Sequence, residues 1–255
     1  MSSPDPDASA KTQSIYGSRK ASLVLDILVV GGGIGGLCAA FCLTQAGHRV
    51  TIVESSPAMG SEVGAGIAIY PNFSRLLQRW GLGKRLDEAA LRPQGATARR
   101  YSNGERLLFI NWVETAESHS GAAPYYHIHR ADLHKLLCDL ISSEVTILLD
   151  SPVVGCDPDP VVPSVTLKSG KVLKADLIVG ADGLKSYIQQ VVLGKPNRAD
   201  PTGVAAYRTL IPTSLMMQDP ELRELIEPPQ LASWLGPGRC IVAYPIVRLF
   251  SALNV

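Results

Sequence analysis

The sequence carries almost no net charge: 24 Lys and Arg stand against 23 Asp and Glu, leaving +1 in 255 residues. Without a basic or acidic field, neither nucleic acid nor a membrane surface is expected as a partner, and a small molecule fits better. There is no C-x-x-C pair, and the five cysteines (Cys38, Cys42, Cys138, Cys156 and Cys240) are odd in number. They read as buried thiols in a reducing compartment rather than as disulfides or metal ligands, which implies a cytoplasmic location and no metal site. Residues 1–22 are rich in Ser, Asp, Pro, Lys and Ala and lack the apolar run of a secretory signal. Leu23 to Leu43 is apolar, but Asp26 and five glycines interrupt it, so no transmembrane segment is predicted. No internal repeat is visible.

What the chain does have is apolar mass. With 46% hydrophobic residues it can bury the core of one large unit or two interleaved ones. Val24–Val30 reads as a β-branched strand, the glycines that follow as a turn, and Ile34–Gln45 as a helix. His48–Val53 supplies a second strand, so the start is a βαβ unit with a parallel pair. Pro71 suits the first position of a helix reaching Trp80. Strands are expected over 94–101 and 106–113, joined by a turn at Asn103-Gly104. Tyr125–Ile128 is expected as a strand. It leads into a helix from Arg130 whose Leu133, Leu136, Leu137, Leu140 and Ile141 share one face. A strand at Val145–Leu149, a meander over Val153–Ala175 and a strand at Leu177–Val179 follow. Beyond Asp200, long strands are expected at Gly203–Ile211, Leu231–Leu235, Arg239–Tyr244 and Leu249–Val255. The fold class is therefore α/β, Rossmann-like, with a parallel sheet and a β-meander beside an incomplete sheet-rich region. Residues 1–22 form a tail, 23–200 one domain whose 94–125 strands join the second sheet, and 201–255 the start of a second domain.

Three segments carry chemistry. Gly31-Gly32-Gly33-Ile34-Gly35-Gly36 is a G-x-G-x-x-G between a strand and a helix. Its first, second and third glycines (Gly31, Gly33 and Gly36) suit a positive φ, close approach to a diphosphate, and helix-on-strand packing. The helix N-terminus favours the anion. Glu54 follows the second strand, where a carboxylate can accept both hydroxyls of an adenosine ribose and repel a 2′-phosphate; as an ordinary surface glutamate it would leave that position unexplained. Arg130 opens a helix at its positive end, which a nearby anion would favour, and reads equally as a surface arginine. Asp182-Gly183 ends a buried strand at the sheet edge where open α/β folds bind ligands; alone it would pass for a simple turn.

Together these residues resemble the class A flavoprotein monooxygenases, close to the salicylate hydroxylase-like branch. The likeness runs from Leu25 to Val255 and adds Gly64-Ala65-Gly66-Ile67, Pro71-Asn72 and His129-Arg130-Ala131-Asp132-Leu133 to the glycine turn, Glu54 and Gly180-Ala181-Asp182-Gly183. The resemblance implies FAD as cofactor, NAD(P)H and O2 as co-substrates, and a phenolic or polyketide-derived aromatic as substrate, in secondary metabolism. It implies that 23–200 is the FAD domain and 201–255 begins the substrate domain. Carried over by position, Gly31, Gly33, Gly35 and Gly36 face the diphosphate and Glu54 the ribose. Ala65 and Gly66 lie along the cofactor, Arg130 meets its phosphate or ribityl region, and Asp182 and Gly183 sit near the flavin nucleotide. Arg208 would stabilise a phenolate and Tyr244 orient it, with Tyr207 an alternative to Tyr244; Arg208 pairing with a carboxylate, or Tyr244 as core, are the plainer readings. The resemblance says nothing of oligomeric state.

Relative to that family, the chain lacks a second flavin motif of the form Gly-Asp-Ala-Ala-His-Pro and so reads as truncated at its C-terminus. Gln189 stands where many relatives carry arginine. Two other functions stay open at this point: an inactive remnant that binds adenine dinucleotide, and an NAD-dependent dehydrogenase.

Overall fold

The computed structural model describes residues 20–60, 65–117, 123–196, 200–246 and, for the backbone, 253–254. In chain order the elements begin β1 (Asp26–Val30), α1 (Ile34–Gln45), β2 (Arg49–Val53), β3 (Gly66–Ile69), α2 (Pro71–Arg79), α3 (Gly83–Ala89), β4 (Gly95–Arg100), β5 (Arg106–Asn111) and α4 (Trp112–Glu117). They continue with β6 (Tyr126–His129), α5 (Arg130–Ile141), β7 (Val145–Leu148), β8 (Val153–Asp157), β9 (Ser164–Leu167), β10 (Val172–Lys174), β11 (Leu177–Gly180) and α6 (Tyr187–Leu193). Last come β12 (Leu210–Ile211), α7 (Thr213–Met216), α8 (Pro220–Arg223), β13 (Leu231–Gly236), β14 (Arg239–Pro245) and β15 (Leu253–Asn254). Two compact units divide the chain: Ser14–Glu62 with Leu133–Ala205, and Val63–Asp132 with Ala206–Val255.

The first unit holds a parallel sheet of order β11-β1-β2-β7. β1 reads Asp-Ile-Leu-Val-Val, and its last four residues are all buried, the signature of a strand covered on both faces. α1 packs on β1 and β2, burying Leu37, Ala40 and Phe41. Leu28, Val30 and Val53 form a core with Val165 and Leu167 of β9 and Ile188 of α6. Each such fully buried aliphatic side chain contributes about 1.5–3 kcal/mol. β8, β9 and β10 form an antiparallel meander, and its turn at Ser169-Gly170 uses Gly170 at φ +86°.

In the second unit a six-stranded sheet runs β12-β15-β14-β13-β4-β5, with β13 parallel to β4 and the other pairs antiparallel. β3 and β6 pair separately, with Gly66 opposite His129. The Asn103-Gly104 turn joins β4 to β5 within a loop over 101–105: Gly104 takes φ +72°, its N–H donates to the Arg100 carbonyl, and the Glu105 N–H donates to the Asn103 side chain. Two sequence expectations change here. β5 stops at Asn111 rather than 113, because the Asn111 Oδ1 accepts from the N–H groups of Val113 and Glu114 and starts α4. The strand expected over Gly203–Ile211 shrinks to Leu210–Ile211. Gly203 at φ +74° and an exposed run through Arg208 leave no ladder until β15 meets Leu210 and Ile211. Of Leu249–Val255, only β15 falls among the described residues. No helix among the described residues is long and apolar enough to cross a membrane.

Candidate functional site

In the first unit the glycine turn links β1 to α1. The Gly31 N–H donates to the Val53 carbonyl, and Gly31 adopts φ +107°. A Cβ there would lie 2.3 Å from the Ala181 carbonyl oxygen, so only glycine fits. At Gly36 a Cβ would meet the Gly31 oxygen at 1.9 Å, which lets α1 sit close on the strand end. Gly33 and Gly35 differ: a Cβ on either would touch no protein atom within 4 Å. Gly33 is the N-cap of α1 and no side chain caps the helix, so its positive end is left for an anion. The turn is a cradle whose open side is lined by backbone, and a diphosphate fits it.

Glu54 closes the adjacent side. Its Oε2 accepts the Gly32 N–H at 2.6 Å, and its Oε1 accepts from the Ser56 N–H at 2.8 Å and the Ser55 hydroxyl at 3.1 Å. Burial pushes this carboxyl up, but the Ser56 and Gly32 N–H groups and Ser55 outweigh it and hold Glu54 below the usual carboxylate range. It is thus an ionised acceptor beside the turn, with three of its roughly four acceptor sites taken internally and one left for a ribose hydroxyl.

Asp182 lies at the end of β11 beside the same turn, since the Ala181 N–H donates to the Val30 carbonyl. Its carboxylate accepts the Ser186 hydroxyl at 2.5 Å and the N–H groups of Tyr187 and Ile188 at 2.7 and 3.1 Å. Ser186 in turn accepts from the Gln189 N–H, capping α6. Three of a carboxylate's roughly four acceptor sites are therefore used internally. Gly183 takes φ +77° and makes the bend between β11 and α6.

In the second unit Ala65, Gly66 and Arg130 come together. The Arg130 N–H donates to the Ala65 carbonyl at 3.0 Å as β3 pairs with β6, and Arg130 is half-buried as the first residue of α5. Gly64 lies outside the described residues. The two proposed substrate-binding residues differ from each other. Arg208 is exposed on irregular chain, beside Tyr207 at 94% exposure, whereas Tyr244 is buried in β14.

Two features had not been singled out in the sequence. Tyr244 leans on the buried His127 ring, 4.6 Å between centroids, and Trp112 stacks on Tyr125 at 4.2 Å. Burial holds His127 down to about 4, against a small upward pull from the Pro245 carbonyl. In the first unit, His134 of α5 reaches the glycine turn itself. The only signal for it in the sequence was a histidine beside Leu133 on an otherwise apolar helix face. Among the described residues no His, Cys, Asp and Glu group could hold a metal. All five cysteines are free thiols, but Cys38, Cys42, Cys138 and Cys156 are half-buried and Cys240 is exposed rather than buried as expected.

Comparison with known proteins agrees with this geometry. A family model described as an FAD binding domain matches residues 24–228. The FAD-dependent monooxygenase OpS4 of Beauveria bassiana (strain ARSEF 2860) is 35% identical over 91% of this chain and 54% of its own length. The 3-amino-4-hydroxybenzoate 2-monooxygenase PtnB3 of Streptomyces platensis is 32% identical over 87% and 53%. The crystal structure of Klebsiella pneumoniae HpxO complexed with FAD and uric acid superposes at a TM-score of 0.74. It shares 22% identity and covers 90% of this chain and 55% of that one, a likeness of fold. The chain spans about half the length of the curated relatives it matches.

Proposed function

Because the chain belongs to the FAD-binding-domain family of class A flavoprotein monooxygenases, we propose that it serves an FAD-dependent hydroxylation of a phenolic aromatic, using NAD(P)H and O2. The observation that carries this reading is the open cradle at Gly33 and Gly35, with the ionised Glu54 carboxylate held against the Gly32 N–H. In this reading the turn holds the diphosphate, Glu54 takes a ribose hydroxyl on its remaining acceptor site, and Ala65, Gly66 and Arg130 hold another stretch of the cofactor. Asp182 acts through the Gly183 bend that its three internal bonds set, and has one acceptor site left for a hydroxyl. FAD, when bound, supplies the redox chemistry with dioxygen; the protein supplies position, charge and exclusion of water.

Arg208 and Tyr244 would serve the substrate. A guanidinium beside a phenol favours the ionised form, and the phenolate carbon is the stronger nucleophile. In this reading residues 23–200 form the FAD domain, with the 94–125 strands joining the mixed sheet, and 201–255 begin the substrate domain. The simple dehydrogenase reading gives no role to the segments around Gly66 and Gly183.

The test is direct. Protein reconstituted with FAD should be yellow and should consume NADH or NADPH faster when a phenol is added. Colourless protein that binds ADP without phenol-stimulated oxidation would instead indicate a nucleotide-binding remnant.

A further inference from the structure

His134 is 6% exposed, and its Nε2 lies 2.9 Å from the Gly32 carbonyl oxygen, 102 residues away in sequence. A carbonyl can only accept, so Nε2 carries the proton in this contact. The other ring nitrogen, Nδ1, lies 3.5 Å from the Cys138 sulfur one turn further along α5. Burial pushes the Cys138 thiol up, keeping it protonated and able to donate to Nδ1. The two contacts thus suit one arrangement of the ring, Nε2–H facing the Gly32 carbonyl and Nδ1 facing the Cys138 thiol. Gly60 packs alongside, where a Cβ would approach Nδ1 to 3.6 Å.

The consequence follows from peptide geometry. In a trans peptide the C=O and the next N–H point in opposite directions. Fixing the Gly32 carbonyl on the buried His134 therefore turns the Gly33 N–H away from His134; Gly33 itself has open space for a group beside it, since a Cβ there would find nothing within 4 Å. Glu54 holds the preceding peptide by accepting the Gly32 N–H. Gly32 is thus clamped at both its donor and its acceptor.

We propose that His134 is a positioning residue for the dinucleotide site: its Nε2–H, oriented by Cys138, locks the Gly32 carbonyl so that the Gly33 N–H is pre-aimed at the diphosphate. What the cradle holds rests on the flavin reading above, whereas the lock itself does not. His134→Leu removes the donor, and His134→Gln restores an N–H at similar reach. In the 255-residue protein without nucleotide, hydrogen exchange over residues 31–37 should accelerate in His134→Leu and stay near wild type in His134→Gln. Calorimetric titration with ADP should show about tenfold weaker binding for His134→Leu and less than about threefold for His134→Gln. Wild-type behaviour of His134→Leu in both measurements, or equal losses in the two variants, would overturn the proposal. If His134→Leu does not fold, ¹⁵N spectra of the wild-type histidine decide: an Nε2–H tautomer supports the lock and an Nδ1–H tautomer overturns it. If the wild type binds neither ADP nor FAD while exchange still depends on His134, the flavin reading fails and the lock stands.

Discussion

The two units treat their candidate residues differently. In the parallel-sheet unit, Glu54, Asp182 and the glycine turn are each held by several short hydrogen bonds, mostly to backbone. In the mixed-sheet unit, Arg208 stands exposed, and the edge strand β5 presents Leu107, Leu108, Phe109 and Ile110 at 41–53% exposure. The contrast lies in how each site is held. The diphosphate cradle is backbone over a few residues, braced on several sides by Val53, Glu54 and His134. A substrate pocket is made by long side chains on separate strands, each of which needs its own support.

The largest effect should come from the turn itself. Gly31→Ala would place a Cβ 2.3 Å from the Ala181 oxygen at φ +107°. It should cost on the order of 3 kcal/mol or more, measurable by urea denaturation, and abolish nucleotide binding. Equal stability of the variant would mean that the turn is not built as described.

Next comes His127 in the mixed-sheet unit. Its folded value of about 4 lies below the ordinary histidine value, so the unfolded chain binds a proton first as pH falls. The stability it contributes is complete above about pH 6.5 and is lost progressively towards pH 4, amounting to about 3 kcal/mol. His127→Phe should flatten that part of the stability curve in denaturant titrations at several pH values; a curve of unchanged slope would contradict the buried neutral ring.

The smallest effect on stability belongs to Arg208→Ala. Exposure predicts a change within about 0.5 kcal/mol, while phenol-stimulated NAD(P)H oxidation should fall. A large loss of stability would show that the side chain serves the fold, and unchanged stimulation would remove it from the substrate site.

The same contrast explains what could be read from the sequence. α1 was legible to the residue, because strand, glycine turn and small-residue helix are contiguous and Gly31 and Gly36 are fixed by contacts of the turn and of the neighbouring β11 end. The position of Glu54 at the end of β2, where it meets the Gly32 N–H 22 residues away, follows from the same βαβ unit. The strand expected through Arg208 was not, since β propensity without a neighbouring ladder does not make a strand. β3 was missed because Gly66–Ile69 pairs with β6 some 60 residues later, and the His134 contact to Gly32 spans 102 residues. Neither leaves a periodic signal.

Whether the backbone around Gly33 receives a diphosphate is decided by calorimetric titration of ADP and FAD into the wild-type protein and Gly33→Ala. Gly33 has φ −70°, which alanine adopts, and open space around it, so the substitution should cost under about 1 kcal/mol of stability. The wild type should bind both nucleotides and Gly33→Ala at least about tenfold more weakly, as expected for a methyl group placed against a phosphate. Equal affinity in the two proteins, or no binding by the folded wild type, would contradict diphosphate binding there.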